Sequence, residues 1–191
     1  MNEGKVHGIN AETVPDNVKL VICPDSSSNN YEDHKILRER GCDVLVLDHH
    51  LADHESEDAI IINNQMCDYP NKTLSGVGIV YKFCSYLDSL LGTNYAKDIL
   101  DLTAVGIIAD VMDLRDFETR YIVKQGLSHF RNPFLKELAE HNEYSISRAG
   151  GLSPFSVGWY IAPQINAIVR SGTAAERMVV FKSMLEFNSY D

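Results

Sequence analysis

Three titratable residues stand where a buried strand should end. The stretch "DVLVLDHH" places Asp48, His49 and His50 directly after four apolar residues, and Asp25 follows the apolar stretch "VKLVICP". A carboxylate and imidazoles that meet at one point form a mixed oxygen and nitrogen site, which suits Mn, Fe or Zn better than Ca or Mg. These residues therefore predict a divalent-metal site.

The elements that position these residues are short strands. The apolar runs predict strands over 18–24, 43–49 and 59–63, with a helix over 31–41 between the first two. Continuous apolar strands separated by a helix are typical of parallel strands buried on both faces, so the fold class is α/β. Ligands bind beyond the carboxyl ends of such strands, which is where Asp25 and Asp48 fall.

The chain after Pro70 has helical spacing throughout. Helices are predicted over 75–92, 95–114, 115–130, 133–141, 157–170 and 173–187. We divide the chain into a core over 1–130 and a mostly helical extension over 131–191. A three-strand sheet is small for so many helices, which suggests that the chain is part of something longer.

A further carboxylate lies in an apolar stretch. Asp110 in "TAVGIIADVMDL" is predicted to lie inside a helix that is apolar nearly all round. A buried carboxylate costs several kcal/mol unless it is paired or bound to a metal, so Asp110 needs a partner. Asp101, Asp113 and Asp116 lie towards the ends of helical segments and are expected to be exposed.

Asp25, His49 and Asp110 together make a plausible set of metal ligands, which leaves His50 free to meet an anion. A metal-bound hydroxide beside a hydrogen-bonding imidazole is suited to phosphoester hydrolysis, because the metal lowers the pKa of water and the donors stabilise developing charge. For Asp25 alone, a role as a helix or turn cap is an equally good interpretation.

The charge of the chain restricts its partners. Of its 191 residues 45% are hydrophobic, and the formal net charge is −10. Residues 1–130 hold 21 acidic against 11 basic side chains, whereas 131–191 hold 6 of each. Such a surface argues against tight non-specific adhesion to nucleic acid or anionic lipid. With no signal peptide or membrane-spanning stretch in the sequence, we expect a cytoplasmic protein that does not bind membranes.

Four blocks of sequence resemble the DHH phosphoesterase superfamily, and within it the RecJ-type single-strand-specific exonucleases. They are "VLVLDHH", "AIIINNQMCDYPNKTLSGVGIVYKF", "DLTAVGIIADVMDL" with "RYIVKQGL", and "GWYIAPQINAIVRSGTA". Together they cover most of the chain in the expected order. The resemblance implies a parallel sheet of the DHH phosphoesterase type flanked by helices.

The resemblance also implies a role for each site residue. Asp25 would bridge two manganese ions, His49 and Asp110 would ligate one of them, and magnesium could substitute. His50 would contact the scissile phosphate, and Asp48 would support the histidines as outer ligands usually do.

A later block implies phosphate binding. Asn166 and Arg170 match an asparagine and an arginine of the family that would bind backbone phosphate. Three positions depart from the usual pattern: Gln164 stands for an arginine, Val169 for a glycine and Ser27 for a glycine. The departures beside Arg170 are expected to affect the strength of its contact.

The family's first motif, an Asp-x-Asp on an earlier strand, is not found in this sequence, and neither is a C-terminal substrate-binding domain. We therefore expect a central fragment of a larger exonuclease that binds at most one manganese ion and is nearly inactive alone. The resemblance implies that the longer protein acts 5′-to-3′ on single-stranded DNA, in repair and recombination.

Two other functions fit the same residues. One is a DHH phosphodiesterase for short oligonucleotides or cyclic dinucleotides, which the acidic surface mildly favours. The other is a non-catalytic scaffold. The presence of Asp25, His49, His50 and Asp110 speaks against it, because a scaffold does not need these four residues for its structure. Trp159 is expected in the core or an interface, with base stacking as the weaker interpretation. The stretch "SGVG" over 75–78 predicts close packing of a helix against the sheet.

Overall fold

The computed structural model describes residues 8–185, and the chain divides into two compact units. The first unit extends to Tyr86 and the second begins at Leu87. The sheet belongs to the first unit and most of the helices to the second.

The first unit is a parallel three-stranded sheet with helices. Its elements are a 3₁₀ turn at Ala11–Thr13, β1 (Leu20–Pro24), α1 (Tyr31–Glu39), β2 (Asp43–Asp48), β3 (Ile60–Asn63) and the start of α2 (Gly76–Leu91). The strand order is β1-β2-β3, with both pairs parallel. The α/β class and the parallel sheet predicted from the sequence are confirmed.

A glycine ends α1 and turns the chain into β2. Gly41 has φ 71°, a left-handed conformation that glycine adopts at little cost. Its N–H donates to the Arg38 carbonyl at 2.9 Å, and the Cys42 N–H donates to the Leu37 carbonyl at 3.0 Å. This closure carries the chain directly into the central strand.

The core of the first unit lies on one face of the sheet. It consists of Ala11, Cys23, Leu37, Cys42, Val44 and Val46. On the opposite face Leu20 and Ile22 of β1 are 53% and 52% exposed, and Ile60 of β3 is 67% exposed. The predicted burial on both faces is therefore wrong for β1 and β3, because these three side chains are each more than half exposed.

The second unit is helical. It contains a 3₁₀ turn at Ala96–Ile99, α3 (Leu100–Ala109), α4 (Phe117–Ser128), α5 (Pro133–His141), α6 (Glu143–Arg148), the short α7 (Pro154–Ser156), α8 (Ala162–Ser171) and α9 (Ala174–Met184). Five of the six predicted helices are found at nearly the predicted positions, whereas the helix predicted over 95–114 ends at Ala109 and α6 was not predicted. The last of the six was predicted to reach residue 187, and residues 186–187 lie outside the described part of the chain.

A buried carboxylate joins α3 to the start of α5. Asp101 is 3% exposed, and its Oδ2 accepts hydrogen bonds from the backbone N–H groups of Arg131 and Asn132, both at 2.7 Å. The expectation that Asp101 is exposed is wrong, because its partners are backbone groups thirty residues further along. Asn132 then caps α5 through Phe134 N–H at 3.0 Å.

A proline widens the helix that leads into α8. Val157–Ile161 forms a π-helical turn, and Pro163 follows at the start of α8. Proline has no N–H to continue the hydrogen-bond ladder and its ring crowds the preceding turn, so the backbone opens there. Single π turns of this kind are frequent at functional sites.

Among the helices of residues 8–185, none combines the length and the hydrophobicity that a bilayer crossing requires.

Candidate functional site

Neighbouring strands bring three polar residues to one edge of the sheet. Asp25 follows β1, Asp48 ends β2 and Asn63 ends β3, and Asp48 pairs in register with Asn63. The Asp25 N–H donates to the Leu47 carbonyl at 2.8 Å, which extends the pairing of β1 and β2 by one residue. The carboxyl edge of the sheet is therefore polar, as the sequence predicts.

Asp25, His49 and His50 form one cluster at this edge. Each offers a ligand atom, and these atoms all lie within 4.8 Å of one another. The His49 Nε2 is 3.2 Å from Asp25 Oδ1, and the two imidazole rings are 4.6 Å apart between centroids. The His49 side chain is 12% exposed, whereas that of Asp25 is 61% exposed. The structure thus brings together three of the residues predicted from the sequence.

Asp48 lies behind the cluster and holds the histidines. It is 1% exposed, and its Oδ1 lies 2.7 Å from His50 Nδ1 and accepts from His49 N–H at 2.8 Å. Its Oδ2 accepts from Ser28 N–H at 3.2 Å. Burial acts to raise the pKa of Asp48, but hydrogen bonds from His50, Ser28 and His49 outweigh it and lower the pKa below its usual value.

The ionised Asp48 determines the tautomer of His50. A carboxylate only accepts hydrogen bonds, so the His50 Nδ1 must carry the proton that it donates to Asp48. The Nε2 of His50 is then the atom left for a metal or an anion. The His50 side chain is 60% exposed, so this atom can be reached from solvent.

Asn63 is a positioning residue that was not predicted from the sequence. It is 3% exposed, and its Nδ2 donates to the His50 carbonyl at 2.8 Å and to Ser28 Oγ at 3.0 Å. It therefore fixes the backbone on which the second histidine stands. The available signal was its place at the end of a third strand, in "IIINN", level with the DHH triplet.

The start of α2 packs directly against Asp25. A Cβ built on Gly76 would overlap Asp25 Oδ1 and lie 2.6 Å from Asp25 Cβ, so only glycine fits at this position. This is the close packing predicted from "SGVG". Asp25 itself has φ 59°, a conformation that costs a non-glycine residue about 1–2 kcal/mol. The backbone thus holds this carboxylate in a strained position.

Ser27 explains one departure from the family pattern. It has φ 84°, the left-handed region where glycine is favoured, and glycine is the residue that the family usually has there. The serine contributes a hydrogen bond instead, because its Oγ accepts from the Ile9 N–H at 2.9 Å. The departure is therefore compatible with the same loop.

Asp110 lies in the second unit, and its predicted environment is wrong. It is not inside a helix: α3 ends at Ala109, and Asp110 is an exposed residue at the C-cap. The following residue, Val111, has φ 55° and is 87% exposed. A β-branched residue in this region is a strained outlier. The helix stops without glycine or proline, so the apolar periodicity gave no sign of its end.

Asn166 and Arg170 both lie on α8, four residues apart and therefore on the same face. Asn166 is partly buried and Arg170 is exposed in the last turn. Gln164 is held internally, since its Nε2 donates to the Tyr160 carbonyl at 2.8 Å and to Asn142 Oδ1 at 3.0 Å. Gln164 therefore has a structural role in this chain.

Trp159 does not lie in a core. It is 67% exposed on the π-helical turn, so of the two expected locations the core is wrong, whereas an interface stays a prediction. Its indole and the ring of Phe155 lie 6.0 Å apart between centroids.

The cluster fits a divalent cation of borderline character. One carboxylate oxygen and two imidazole nitrogens converge within 4.8 Å, and the carboxylate is held against the N-terminal turn of α2 by Gly76. This donor set suits manganese, and the exposed side chains of Asp25 and His50 leave it accessible. The chemistry of the donors therefore agrees with the cofactor predicted from the sequence.

The family profile "DHH family, N-terminal domain" matches residues 4–107, more than half of the chain. The chain belongs to the DHH family. Its DHH triplet is Asp48, His49 and His50, the residues that form and support the cluster described above.

Relatives of this DHH-family chain are named as exonucleases. It is 42% identical over 186 residues to a protein of Bacillus subtilis (strain 168) named YorK and described as a prophage-derived single-strand DNA-specific exonuclease. The alignment covers 97% of this chain and 32% of YorK. It is 36% identical over 154 residues to the single-stranded-DNA-specific exonuclease RecJ of the same organism, covering 79% of this chain and 19% of RecJ. The chain spans about a third or less of the length of these curated relatives.

Solved structures of RecJ share this DHH-family fold. A crystal structure of exonuclease RecJ bound to manganese matches with a TM-score of 0.74 and 27% identity, covering 93% of this chain and 49% of that one. RecJ from Thermus thermophilus in complex with Mn²⁺ matches with a TM-score of 0.75 and 28% identity, covering 87% of this chain and 25% of that one.

Proposed function

We propose that this chain contributes the metal-binding part of a phosphodiesterase that hydrolyses single-stranded DNA from the 5′ end and uses manganese. The observation that carries the proposal is the cluster of Asp25, His49 and His50 at the carboxyl edge of the sheet. It occurs in a DHH-family chain whose relatives are named as single-strand-specific exonucleases.

The proposed ligands are Asp25, His49 and Asp110, with His50 facing the scissile phosphate. Manganese held by these residues would lower the pKa of a bound water and would stabilise charge on a phosphoryl oxygen. Asp48 keeps the Nδ1 proton of His50 in place, so Nε2 is presented to solvent in one orientation. When protonated, Nε2 can donate a hydrogen bond to a phosphate oxygen, which stabilises the charge that develops during hydrolysis.

We further propose that Asn166 and Arg170 bind backbone phosphate. They lie on one face of α8 and offer an amide and a guanidinium, the latter being able to bind phosphate in a bidentate manner. Asn166 is partly buried and therefore restricted in its rotamers, whereas Arg170 is exposed and more mobile. The contact of Arg170 is expected to be the more sensitive to salt.

We also propose that the two parts of the chain have different roles. Residues 1–130 would form the DHH core and 131–191 an extension that carries the phosphate-binding face of α8. Within residues 8–185 one group of possible metal ligands is found. Because a two-metal displacement needs ligands for a second ion, we expect low nuclease activity from the 191 residues alone.

A second candidate is a phosphodiesterase for short oligonucleotides or cyclic dinucleotides. The net charge of −10 favours it, because a long polyanion gains much of its affinity from Lys and Arg. Comparing a single-stranded 20-mer with a dinucleotide as substrates for a longer form of the protein separates the two. Preference for the dinucleotide contradicts the exonuclease proposal.

The first test is a calorimetric titration of manganese into the chain. We expect one binding site in the wild type and none in Asp25→Ala, because that substitution removes the only carboxylate of the cluster. Asp53→Ala is the matched control, since Asp53 is an exposed aspartate in the loop after the histidines. It should bind manganese as the wild type does.

Two outcomes contradict the proposal. Absence of manganese binding by the wild type, with folding verified by circular dichroism, removes the metal centre. Equal loss of binding in Asp53→Ala means that the acidic surface rather than the cluster attracts the ion.

A further inference from the structure

We infer that a pocket in the second unit, between the end of α3 and the π-helical turn, binds a base of single-stranded DNA. This inference rests on the proposed function and specifies where a nucleotide of the substrate is held. We call it the base pocket.

The base pocket is of a size that suits a planar ring. Its volume is about 410 Å³, and its wall includes Val111, Met112, Phe155, Trp159, Pro163 and Asn166. All but one of these side chains are apolar. Ligand sites of this kind combine an apolar wall with a few polar groups that fix orientation.

The aromatic rings of the base pocket are available to a ligand. Trp159 is 67% exposed and Phe155 is 57% exposed. Their ring centroids are 6.0 Å apart with an angle of 44° between the planes, so the two rings are not stacked face to face. At least part of the indole face is left open, and single-strand binders use such faces to stack bases.

Asn166 is the polar group of the base pocket. Its amide has both a donor and an acceptor, which is what the edge of a nucleobase requires. It is also one of the two residues proposed to bind phosphate, so the base pocket adjoins the phosphate-binding face of α8. A nucleotide carries its base and phosphate a few ångströms apart, and this arrangement offers a place for each.

The wall of the base pocket also adjoins a proposed metal ligand. Val111 follows Asp110 directly, and its strained backbone at φ 55° presents the valine side chain to solvent at the wall of the pocket. The strain is therefore located between a carboxylate and an apolar surface, as is common where a ligand is held.

Charge explains why stacking is needed. The chain has 17 basic against 27 acidic side chains, so electrostatic attraction of a DNA backbone is weak. Stacking does not depend on net charge and tolerates any base sequence. A base is thus a better occupant of this apolar pocket than a charged peptide or an anionic lipid.

The test uses the intrinsic fluorescence of the chain, because Trp159 is its single tryptophan. A base that stacks on the indole quenches this fluorescence. The full chain is titrated with a thymidine pentamer and with an abasic pentamer of the same charge, in EDTA and again in manganese. We expect quenching by the thymidine pentamer and little by the abasic one.

Variants test the energetic role of the ring, by fluorescence anisotropy of a labelled thymidine pentamer. Trp159→Ala should weaken binding by about five- to 150-fold, whereas Trp159→Phe should recover most of the loss. Tyr95→Ala is the matched control, since Tyr95 is an aromatic side chain 73% exposed that does not line the base pocket. It should bind as the wild type does, and circular dichroism verifies the fold of each variant.

The possible outcomes separate this inference from the proposed function. Binding of the pentamer with unchanged fluorescence, and with equal affinity in Trp159→Ala, overturns the base pocket and leaves the nuclease proposal standing. Equal quenching by the abasic pentamer also overturns it, because the backbone alone would then perturb the indole. Absence of quenching by the thymidine pentamer in both buffers overturns the base pocket as well. The nuclease proposal is tested separately, by the manganese titration.

Discussion

The edge of the sheet and the surface around Asp110 hold their side chains in different ways. At the edge, Asp48 and Asn63 are buried and bind the backbone or ring of the neighbouring histidines. On the second surface Asp110 and Val111 are exposed, and their positions follow from where α3 ends. The metal cluster is thus preorganised by hydrogen bonds, whereas the second surface, formed by Asp110 and Val111, takes its position from the end of α3.

This difference predicts which substitutions each region should tolerate. A hydrogen-bonded cluster depends on individual polar groups, so single isosteric changes should disrupt it. A surface positioned by helix ends should tolerate polar changes and respond to backbone changes instead. Isosteric substitutions in the two regions and backbone substitutions in each therefore test this contrast.

The buried carboxylates Asp48 and Asp101 provide the sharpest comparison, because both accept backbone N–H groups. Asp48→Asn places an amide NH2 group, which is a donor, against the Ser28 N–H and removes the negative partner of His50. We therefore expect the free energy of unfolding to fall by about 3 kcal/mol. We also expect manganese affinity to fall about tenfold or more. Urea denaturation and calorimetry measure the two effects.

Asp101→Asn is the matched variant in the helical unit. It should destabilise the fold by about 2 kcal/mol because two backbone donors lose their charged acceptor. Its manganese affinity should equal that of the wild type. A fall in manganese affinity in both variants breaks the contrast, since it means that any loss of stability impairs the cluster.

Gly76→Ala tests the cluster without changing a ligand. The added Cβ would overlap Asp25 Oδ1, so the carboxylate must move, and manganese affinity should fall about ten- to 100-fold by analogy with losses of outer ligands. Gly78→Ala is the control in the same helix, because its Cβ would meet only the Leu74 side chain, at 3.1 Å from Cδ2 and 3.3 Å from Cβ, and no residue of the cluster. Calorimetric titration should show nearly wild-type affinity for that variant. Equal losses in both would assign the effect to the helix.

Val111→Gly tests whether the second surface is positioned by the backbone. Glycine removes the strain of a β-branched residue at φ 55°, which we expect to stabilise the fold by about 0.5–1 kcal/mol. The same change in an ordinary helix, Val179→Gly, should destabilise by about 0.5 kcal/mol. Urea denaturation of both variants measures the difference. Destabilisation by Val111→Gly would mean that packing of the valine outweighs its strain.

A pH dependence of stability is expected from His34, a buried residue of α1. His34 is fully buried, and this burial lowers its pKa. The Ser27 backbone and the charges of Asp33 and Asp58 act to raise the pKa, but burial outweighs them. Its Nδ1 lies 3.1 Å from Ser56 Oγ, and its Nε2 has no hydrogen-bond partner within residues 8–185.

The sign follows from proton binding. Above about pH 6.5 His34 is neutral in both the folded and the unfolded chain. Below that pH the unfolded chain binds a proton first, because the pKa of His34 is lowered in the folded chain. The free energy of unfolding therefore decreases as the pH is lowered, until the pKa of the folded state is reached. The decrease in the free energy of unfolding that His34 causes cannot exceed about 1.4 kcal/mol per pH unit. Unfolding in urea at about pH 7.5 and 5.5, on either side of the ordinary histidine pKa, should show a smaller loss for His34→Gln than for the wild type. The exposed His129→Gln should lose as much as the wild type, and equal losses in all three would exclude His34 as the source.

The order of strands and helices could be predicted from the sequence because periodicity is a local property. The same holds for Asp25 and the two histidines, since the carboxyl ends of neighbouring parallel strands meet at one edge. The resemblance to RecJ-type exonucleases added the identity of the family. These parts of the fold and site depend on short stretches of sequence.

The remaining features depend on contacts between distant residues. Asp101 is buried by the backbone of Arg131, thirty residues later, and Asn63 is informative only once β3 is paired with β2. The end of α3 fell at Asp110 without a cap glycine, so its exposure could not be inferred from an apolar pattern. The exposure of Trp159 likewise depends on what packs over the π-helical turn.

The uncovered face of the sheet has a practical consequence for handling the protein. Leu20, Ile22 and Ile60 present apolar surface to water, and contiguous surface of this kind promotes self-association. Self-association should therefore increase as concentration rises, and binding constants should be measured in dilute solution and repeated at a second protein concentration. Light scattering at both concentrations shows whether the molecule in the cuvette is still a single chain.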